Sequence, residues 1–77
     1  MDFVDVVNNK QRLIKTKDVL TRVQRSKAWL YKQLKAGTFP KPVRIGSRSI
    51  SFVESEVNYW IEERISASRD DIEKQIS

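Results

Sequence analysis

The first amphipathic segment of the chain lies between residues 17 and 23. Its apolar residues fall at i, i+1 and i+4, on one side of a helix: Val19, Leu20 and Val23. Thr16 precedes them with a hydroxyl that can accept hydrogen bonds from free backbone N–H groups. Asp18 falls in the first turn, where a negative charge interacts favourably with the helix dipole. The pattern predicts a first helix from Lys17 to Val23, capped by Thr16.

A second helix is predicted only two residues later. Ser26 is a further N-cap candidate, and Gly37 is suited to the left-handed conformation that ends a helix. These two residues bound a helix from Lys27 to Ala36. The inward positions of this helix are Leu30 and Leu34. The positions off that stripe include Lys27, Tyr31, Lys32 and Lys35. Two short helices joined by a tight turn are typical of a helix-turn-helix unit.

A β-hairpin is predicted after the second helix. The segment from Phe39 to Pro42 cannot continue the helix, because its prolines lack an N–H donor and favour extended geometry in the preceding residue. Residues 43–45 and 48–52 then alternate in polarity around Gly46-Ser47. We call this hairpin, residues 43–52, the wing. Its apolar face is predicted to contain Val43, Ile45, Ile50 and Phe52.

A third helix is predicted to begin near Val53. Ser51 and Glu54 have the spacing of a capping box, in which the two side chains satisfy early backbone donors reciprocally. The apolar stripe of this helix contains Val57, Trp60, Ile61 and Ile65, and Trp60 is expected in the core. The pattern leaves two alternatives beyond residue 65: the helix runs on through Ile72 and Ile76, or Ser68 caps a separate short helix. The expected organisation is a mobile arm (1–11), a single domain (12–65) and a tail or helix extension (66–77).

Composition and charge narrow the function classes. The chain has 77 residues with neither cysteine nor histidine, so thiolate or imidazole metal sites and histidine acid–base catalysis are not expected, and no cofactor is predicted. Residues 10–48 carry twelve lysines and arginines against one acid, Asp18, whereas residues 54–77 are net acidic. Such a positive region is the electrostatic pattern of a protein that binds phosphate backbones, the alternative being a solvated lysine-rich surface. An acidic N-terminus and short apolar runs favour a cytoplasmic, nucleoid-associated protein.

Residues 12–63 resemble the AlpA family of phage and genomic-island regulators, a winged relative of the MerR-type DNA-binding domain. The resemblance lies in Arg12-Leu13-Ile14, in Ser26-Lys27-Ala28-Trp29-Leu30-Tyr31-Lys32, in the Gly37-Thr38-Phe39-Pro40-Lys41-Pro42-Val43 block, in Ser55-Glu56-Val57 and in Trp60-Ile61. It implies a mainly α fold with a small β-hairpin, a winged helix-turn-helix of MerR or excisionase type. Ala28 and Trp29 replace a serine and a threonine of the family pattern, so base preference does not carry over.

The predicted DNA contacts lie on the second helix and the wing: Ser26, Lys27, Ala28, Trp29, Tyr31, Lys32, Lys35, Arg44, Ser47 and Arg48. The lysines suit phosphates or base edges, and the Tyr31 hydroxyl suits a phosphate. Arginines beside the hairpin turn can enter a minor groove or clamp a backbone. For Trp29, a contact with DNA and half-buried packing stay equally open.

The partner implied is double-stranded DNA, and no enzymatic activity is expected. The resemblance implies a transcriptional regulator that controls integrase expression or the excision of a prophage or genomic island. A recombination directionality factor that binds and bends attachment-site DNA is the alternative within the same class. From another class, the chain is a protein-interaction adaptor with no DNA binding of its own. It would bind an integrase or an acidic partner through the same basic face, with the stripe Ile65, Ile72 and Ile76 as a docking helix. Self-association on DNA is a further expectation, because a small domain alone binds weakly.

Overall fold

A computed structural model of the chain describes residues 11–76. The elements in chain order are β1 (Leu13–Ile14), α1 (Thr16–Val23), α2 (Lys27–Ala36), β2 (Val43–Arg44), β3 (Ile50–Val53) and α3 (Glu54–Ile76). The predicted fold class, mainly α with a small β-hairpin, is confirmed, and the arrangement is consistent with a winged helix-turn-helix domain. Apart from Gln11, the predicted arm lies outside the described residues. Within the described range no helix is both long and apolar enough to cross a membrane.

Helix α1 begins one residue earlier than the sequence predicts. Lys15 is the N-cap residue, with extended backbone angles (φ −81°, ψ 161°) and no capping hydrogen bond from its side chain, so the predicted Thr16 cap is wrong. The Lys15 carbonyl accepts the first helical hydrogen bond, from the N–H of Val19 at 3.1 Å, which places Thr16 inside the helix. The helix ends at Gln24, which adopts the left-handed conformation (φ 57°). The side-chain amide of Gln24 donates from Nε2 to the backbone carbonyl of Thr21 at 2.7 Å.

Helix α2 has the bounds that its capping residues predict. The Ser26 hydroxyl accepts the N–H of Trp29 at 3.1 Å. Gly37 adopts the left-handed conformation (φ 77°), and the N–H of Thr38 then donates to the carbonyl of Gln33 at 3.0 Å. Residues next to the helix therefore bond some of the free backbone N–H groups at its start and C=O groups at its end. This is why a local sequence pattern is enough to locate both ends.

The three strands form one antiparallel sheet with β3 in the centre. Strand β1, which the sequence pattern does not predict, pairs Ile14 with Phe52, and β2 pairs Val43 with Ser51 and Arg44 with Ile50. Residues directly opposite each other in an antiparallel pair lie on the same face of the sheet. Ile14 therefore joins Phe52 on the core face.

The register corrects the predicted apolar face of the wing. Val43 lies opposite Ser51, whereas Ile50 and Phe52 alternate with Ser51 and so lie on the other face. Val43 and Ile45 are accordingly 37% and 55% exposed, while Phe52 is fully buried and Ile50 is half-buried. Period-2 alternation within each strand was correct, but the pairing of the two strands places their apolar residues on different faces.

The predicted capping box at the start of the third helix is wrong. Ser51 belongs to β3, and α3 begins at Glu54 directly after that strand. The N–H of Glu54 donates to the carbonyl of Arg12 at 2.7 Å, and its carboxylate accepts from Arg22 at 2.8 Å. The first residue of α3 is therefore hydrogen-bonded to residues that are distant in sequence, and not to a neighbouring cap. Helix α3 continues without a break to Ile76, which settles the alternative left open beyond residue 65.

The buried core contains one residue each from β1, α1, α2, the segment after α2, β3 and α3: Ile14, Val19, Leu30, Phe39, Phe52 and Val57. The half-buried residues packed around it include Leu20, Val23, Trp29, Leu34, Ile50, Trp60 and Ile61. As predicted, Trp60 packs against the core. The core is small, so each of these side chains contributes a substantial share of the free energy of folding.

Replacing Gly37 with alanine is expected to destabilise the domain by about 1–2 kcal/mol, because an L-residue is strained in the left-handed region. A Cβ at Gly37 meets no atom within 4 Å, so the loss would come from the backbone conformation alone. Gly46→Ala is the matched control, since that site is equally open and its φ is not positive. Urea unfolding of both variants measures the difference, and equal stabilities would contradict this assignment of strain.

Candidate nucleic-acid interface

Helix α2 has two different sides. Five exposed residues share the side turned to solvent: Lys27, Ala28, Tyr31, Lys32 and Lys35. Their spacing of i, i+1, i+4, i+5 and i+8 makes a continuous stripe on a helix. The opposite side carries Leu30, which is fully buried, and Trp29, which is half-buried, while half-buried Leu34 borders the exposed stripe. The helix is thus held by one side and presents the other. We call the five exposed residues the α2 face.

The α2 face combines three ammonium groups with an aromatic ring and a small side chain. The Lys27 ammonium lies 5.9 Å from the centroid of the Tyr31 ring, which is 47% exposed. Lys32 and Lys35 are exposed along the same stripe. Ammonium and phenol groups can donate to phosphate oxygens, and the methyl group of Ala28 leaves room for close approach of a groove edge. The face can therefore bind an anionic surface of regular shape.

Trp29 lies on the core side of α2. Its ring packs edge-to-face with Phe39, at a centroid distance of 6.3 Å, and with Trp60, at 6.0 Å. The Arg25 guanidinium lies 5.5 Å from the centroid of the same ring. The half-buried ring therefore takes the packing position, one of the two alternatives left open by the sequence. Contacts of Trp29 and of the capping Ser26 with DNA stay predictions.

The wing presents its two arginines differently. Arg44 donates from Nη1 to the carbonyl of Ser47 at 2.9 Å, which ties this exposed side chain across the turn. The N–H of Ile45 donates to the carbonyl of Ser49 at 2.8 Å and closes the hairpin. Arg48 is exposed at the tip. Since a guanidinium has five N–H donors, Arg44 keeps donors for a second acceptor while its position is restrained.

The α2 face and the wing are linked through the core and not by direct polar contacts. Among residues 11–76, no hydrogen bond or ion pair joins a side chain of one to a side chain of the other. The link runs through Phe39, whose ring lies 6.0 Å from Phe52 of β3 and 4.8 Å from Trp60 of α3. The Trp60 indole N–H also donates to the carbonyl of Thr38 at 2.7 Å, which holds the segment after α2 against α3.

The guanidinium of Arg22 is bound within the fold by three side chains. It donates to Asp18 at 3.1 Å, to Glu54 at 2.8 Å and to the Asn58 side chain at 3.1 Å. The hydrogen bonds to Glu54 and Asp18 raise the pKa of Arg22 above its ordinary value. Asp18 is the only acid between residues 10 and 53, and its carboxylate is paired with Arg22.

Sequence reasoning missed the structural role of Arg22. The i, i+4 spacing of Asp18 and Arg22 was the one local signal for it. Glu54 and Asn58 are more than thirty residues away and become neighbours only once α3 packs against α1.

A comparison of the sequence with known protein families gives one match. The family described as "Prophage CP4-57 regulatory protein (AlpA)" matches residues 12–65, a range that includes the α2 face, the wing and the core part of α3. Neither the curated proteins nor the solved structures gave a match. The matched range covers more than two thirds of the chain and reproduces the resemblance noted in the sequence. The chain therefore belongs to the AlpA family of prophage regulatory proteins.

Proposed function

We propose that this protein is a sequence-specific DNA-binding regulator of the AlpA type, which controls integrase expression or the excision of a prophage or genomic island. The observation that carries the proposal is the α2 face: three exposed lysines and a tyrosine form one stripe on a helix whose other side is held in the core. This is the arrangement of a recognition helix, which enters the major groove while the rest of the unit positions it. The proposal is a binding function and involves no chemical reaction.

In this proposal the inward residues of α2 position the helix, and its outward residues contact DNA. Lys27, Lys32 and Lys35 extend from the exposed stripe and reach phosphates or guanine edges. The Tyr31 hydroxyl donates to a phosphate. Ala28 lies among them, where its methyl group can contact a thymine methyl in the groove.

The wing adds a second contact in the adjacent groove. Arg48 at the tip inserts into the minor groove or holds a backbone phosphate, and Ser47 lies next to it. Arg44, restrained by its bond to the Ser47 carbonyl, lies at the base of the turn. A restrained arginine loses less conformational freedom on binding than a free one, so this hydrogen bond favours binding.

A titration by gel shift tests the proposal most directly. The purified chain is added to DNA from the promoter and attachment region beside its own gene, with random competitor DNA at fixed salt. Several discrete shifts that survive the competitor are the expected result, because cooperative self-association on repeated sites compensates for the weak binding of one small domain. Absence of any shift at low salt would overturn the proposal and favour an adaptor that binds an integrase. Strong bending of attachment-site DNA in the same complexes would identify a recombination directionality factor.

Replacing Lys32 with alanine is expected to weaken specific binding about tenfold, equivalent to about 1.4 kcal/mol, because one charge-assisted contact is lost. The thermal unfolding midpoint should not change, since the side chain is exposed. Lys17→Ala is the matched control: this exposed lysine of α1 lies beside Asp18 and Glu54, outside the α2 face. An unchanged affinity in Lys32→Ala, or an equal loss in Lys17→Ala, would remove Lys32 from the contact surface.

The affinity is expected to fall steeply with salt. Each neutralised phosphate contributes about −0.9 to the slope of log affinity against log salt concentration, so six contacts give a slope of roughly −5. Fluorescence anisotropy with labelled DNA between low and physiological salt measures this slope. A slope near zero would contradict a contact surface made of lysines and arginines.

A further inference from the structure

The second half of α3 exposes an apolar stripe that no described part of the chain covers. Val57 is fully buried and Ile61 is half-buried, but from Glu62 onward every described side chain of the helix is exposed. Ile65 and Ile72 are 42% and 53% exposed. Together with Ser68, they continue from Ile61 at spacings of four, three and four residues, which is the 3–4 repeat of a helix that pairs with another helix.

A shallow hollow lies beside the start of this stripe. Its volume is about 270 Å³, and its apolar wall consists of Val23, Trp29, Trp60, Ile61 and Ile65. Three arginines also line it, Arg22, Arg25 and Arg64, of which Arg22 is already paired with Asp18 and Glu54. A complementary occupant would bring an apolar side chain beside a carboxylate. The chain itself carries that combination on the exposed part of α3, in Asp71 and Ile72.

We propose that two copies of this chain pair through antiparallel α3 helices, with the two-fold axis between residues 66 and 67. Ile61 of each copy then packs against Ile72 of the other, and Ile65 against Ser68. This register brings Asp71 of one copy to Arg64 at the edge of the hollow of the other. The apolar stripe and the hollow are covered by a single symmetric contact.

The charges on both flanks of the stripe fit this register. In an antiparallel pair, the residues on one side of the apolar seam face the equivalent side of the partner helix. Arg64 then faces Asp71 of the second copy, and Glu62 faces Arg69 of the second copy. Symmetry repeats both contacts, so four opposite-charge pairs flank the four layers of the seam, two of which are Ile61 against Ile72.

A parallel pair of the same helices would be opposed by charge. In parallel pairing a flanking residue faces the residue five positions further along the partner helix, which sets Arg64 against Arg69 of the second copy. The same residues that complement each other in the antiparallel register therefore repel in the parallel one. This difference determines the proposed orientation.

Pairing through α3 deepens the self-association that the proposed function includes, but it does not require DNA. None of the five residues of the α2 face lines the hollow. A dimer formed in this way keeps both α2 faces free and relates them by a two-fold axis, which matches DNA sites with two-fold symmetry.

Sedimentation equilibrium of the full chain without DNA tests the pairing. The weight-average mass is expected to rise from the 9.0 kDa of one chain towards about twice that value as concentration increases. Ile72→Asp should keep the protein monomeric at all concentrations, with an unchanged circular dichroism spectrum because Ile72 is exposed. Ile45→Asp is the matched control, an exposed isoleucine of the wing, and should dimerise like the wild type. A wild-type chain that stays monomeric, or a dimer that survives Ile72→Asp, would overturn the proposal.

Charge exchange tests the orientation. Arg69→Glu should weaken the dimer by placing two carboxylates together, and the double variant Glu62→Arg with Arg69→Glu should restore it. A parallel dimer would instead become stronger in Arg69→Glu, because a carboxylate would then face Arg64, and that result would overturn the antiparallel register. These measurements contain no DNA, so their outcome is separate from the gel-shift result: a dimer that shifts no DNA would count against the proposed function alone.

Discussion

The packing of Phe39 against three other aromatic rings holds this small domain together. Phe39 follows α2 in the chain and is almost fully buried, and its ring contacts Trp29 of α2, Phe52 of β3 and Trp60 of α3. Aromatic side chains bury more area than any others, and edge-to-face pairs add directional preference to that burial. In a chain with so small a core, this cluster determines how α2 is oriented relative to the wing. The α2 face exists as an outward surface because Trp29 and Leu30 anchor the other side.

An ion-pair network adds to this packing. Arg22 joins Asp18 on α1 to Glu54 and Asn58 on α3 and takes no part in the α2 face. The pair at Glu54 also lies where β3 turns directly into α3. One cation thereby connects the first and last helices, just as the aromatic cluster connects α2 to β3 and α3.

The features that sequence predicted are those with local causes. Ser26 and Gly37 determine both ends of α2 through hydrogen bonds to residues within five positions, and the outward lysines follow from helical spacing. The features that it missed depend on residues far apart. Strand β1 is two residues long and exists only through pairing with β3, and the exposure of Val43 and Ile45 follows from the register of the wing. The spacing of Ser51 and Glu54 predicted a local capping box. The actual partners of Glu54 are Arg12 and Arg22, which are distant in sequence and so give no local signal.

The two sides of α2 separate the residues that keep the protein folded from the residues that are proposed to contact DNA. Trp29, Leu30 and Leu34 pack inward, whereas Ala28, Tyr31 and Lys32 make no contribution to the buried core. Substitutions on the outer side are therefore expected to leave the free energy of folding nearly constant. On the proposed function, the residues that select DNA can change without a compensating change in the scaffold.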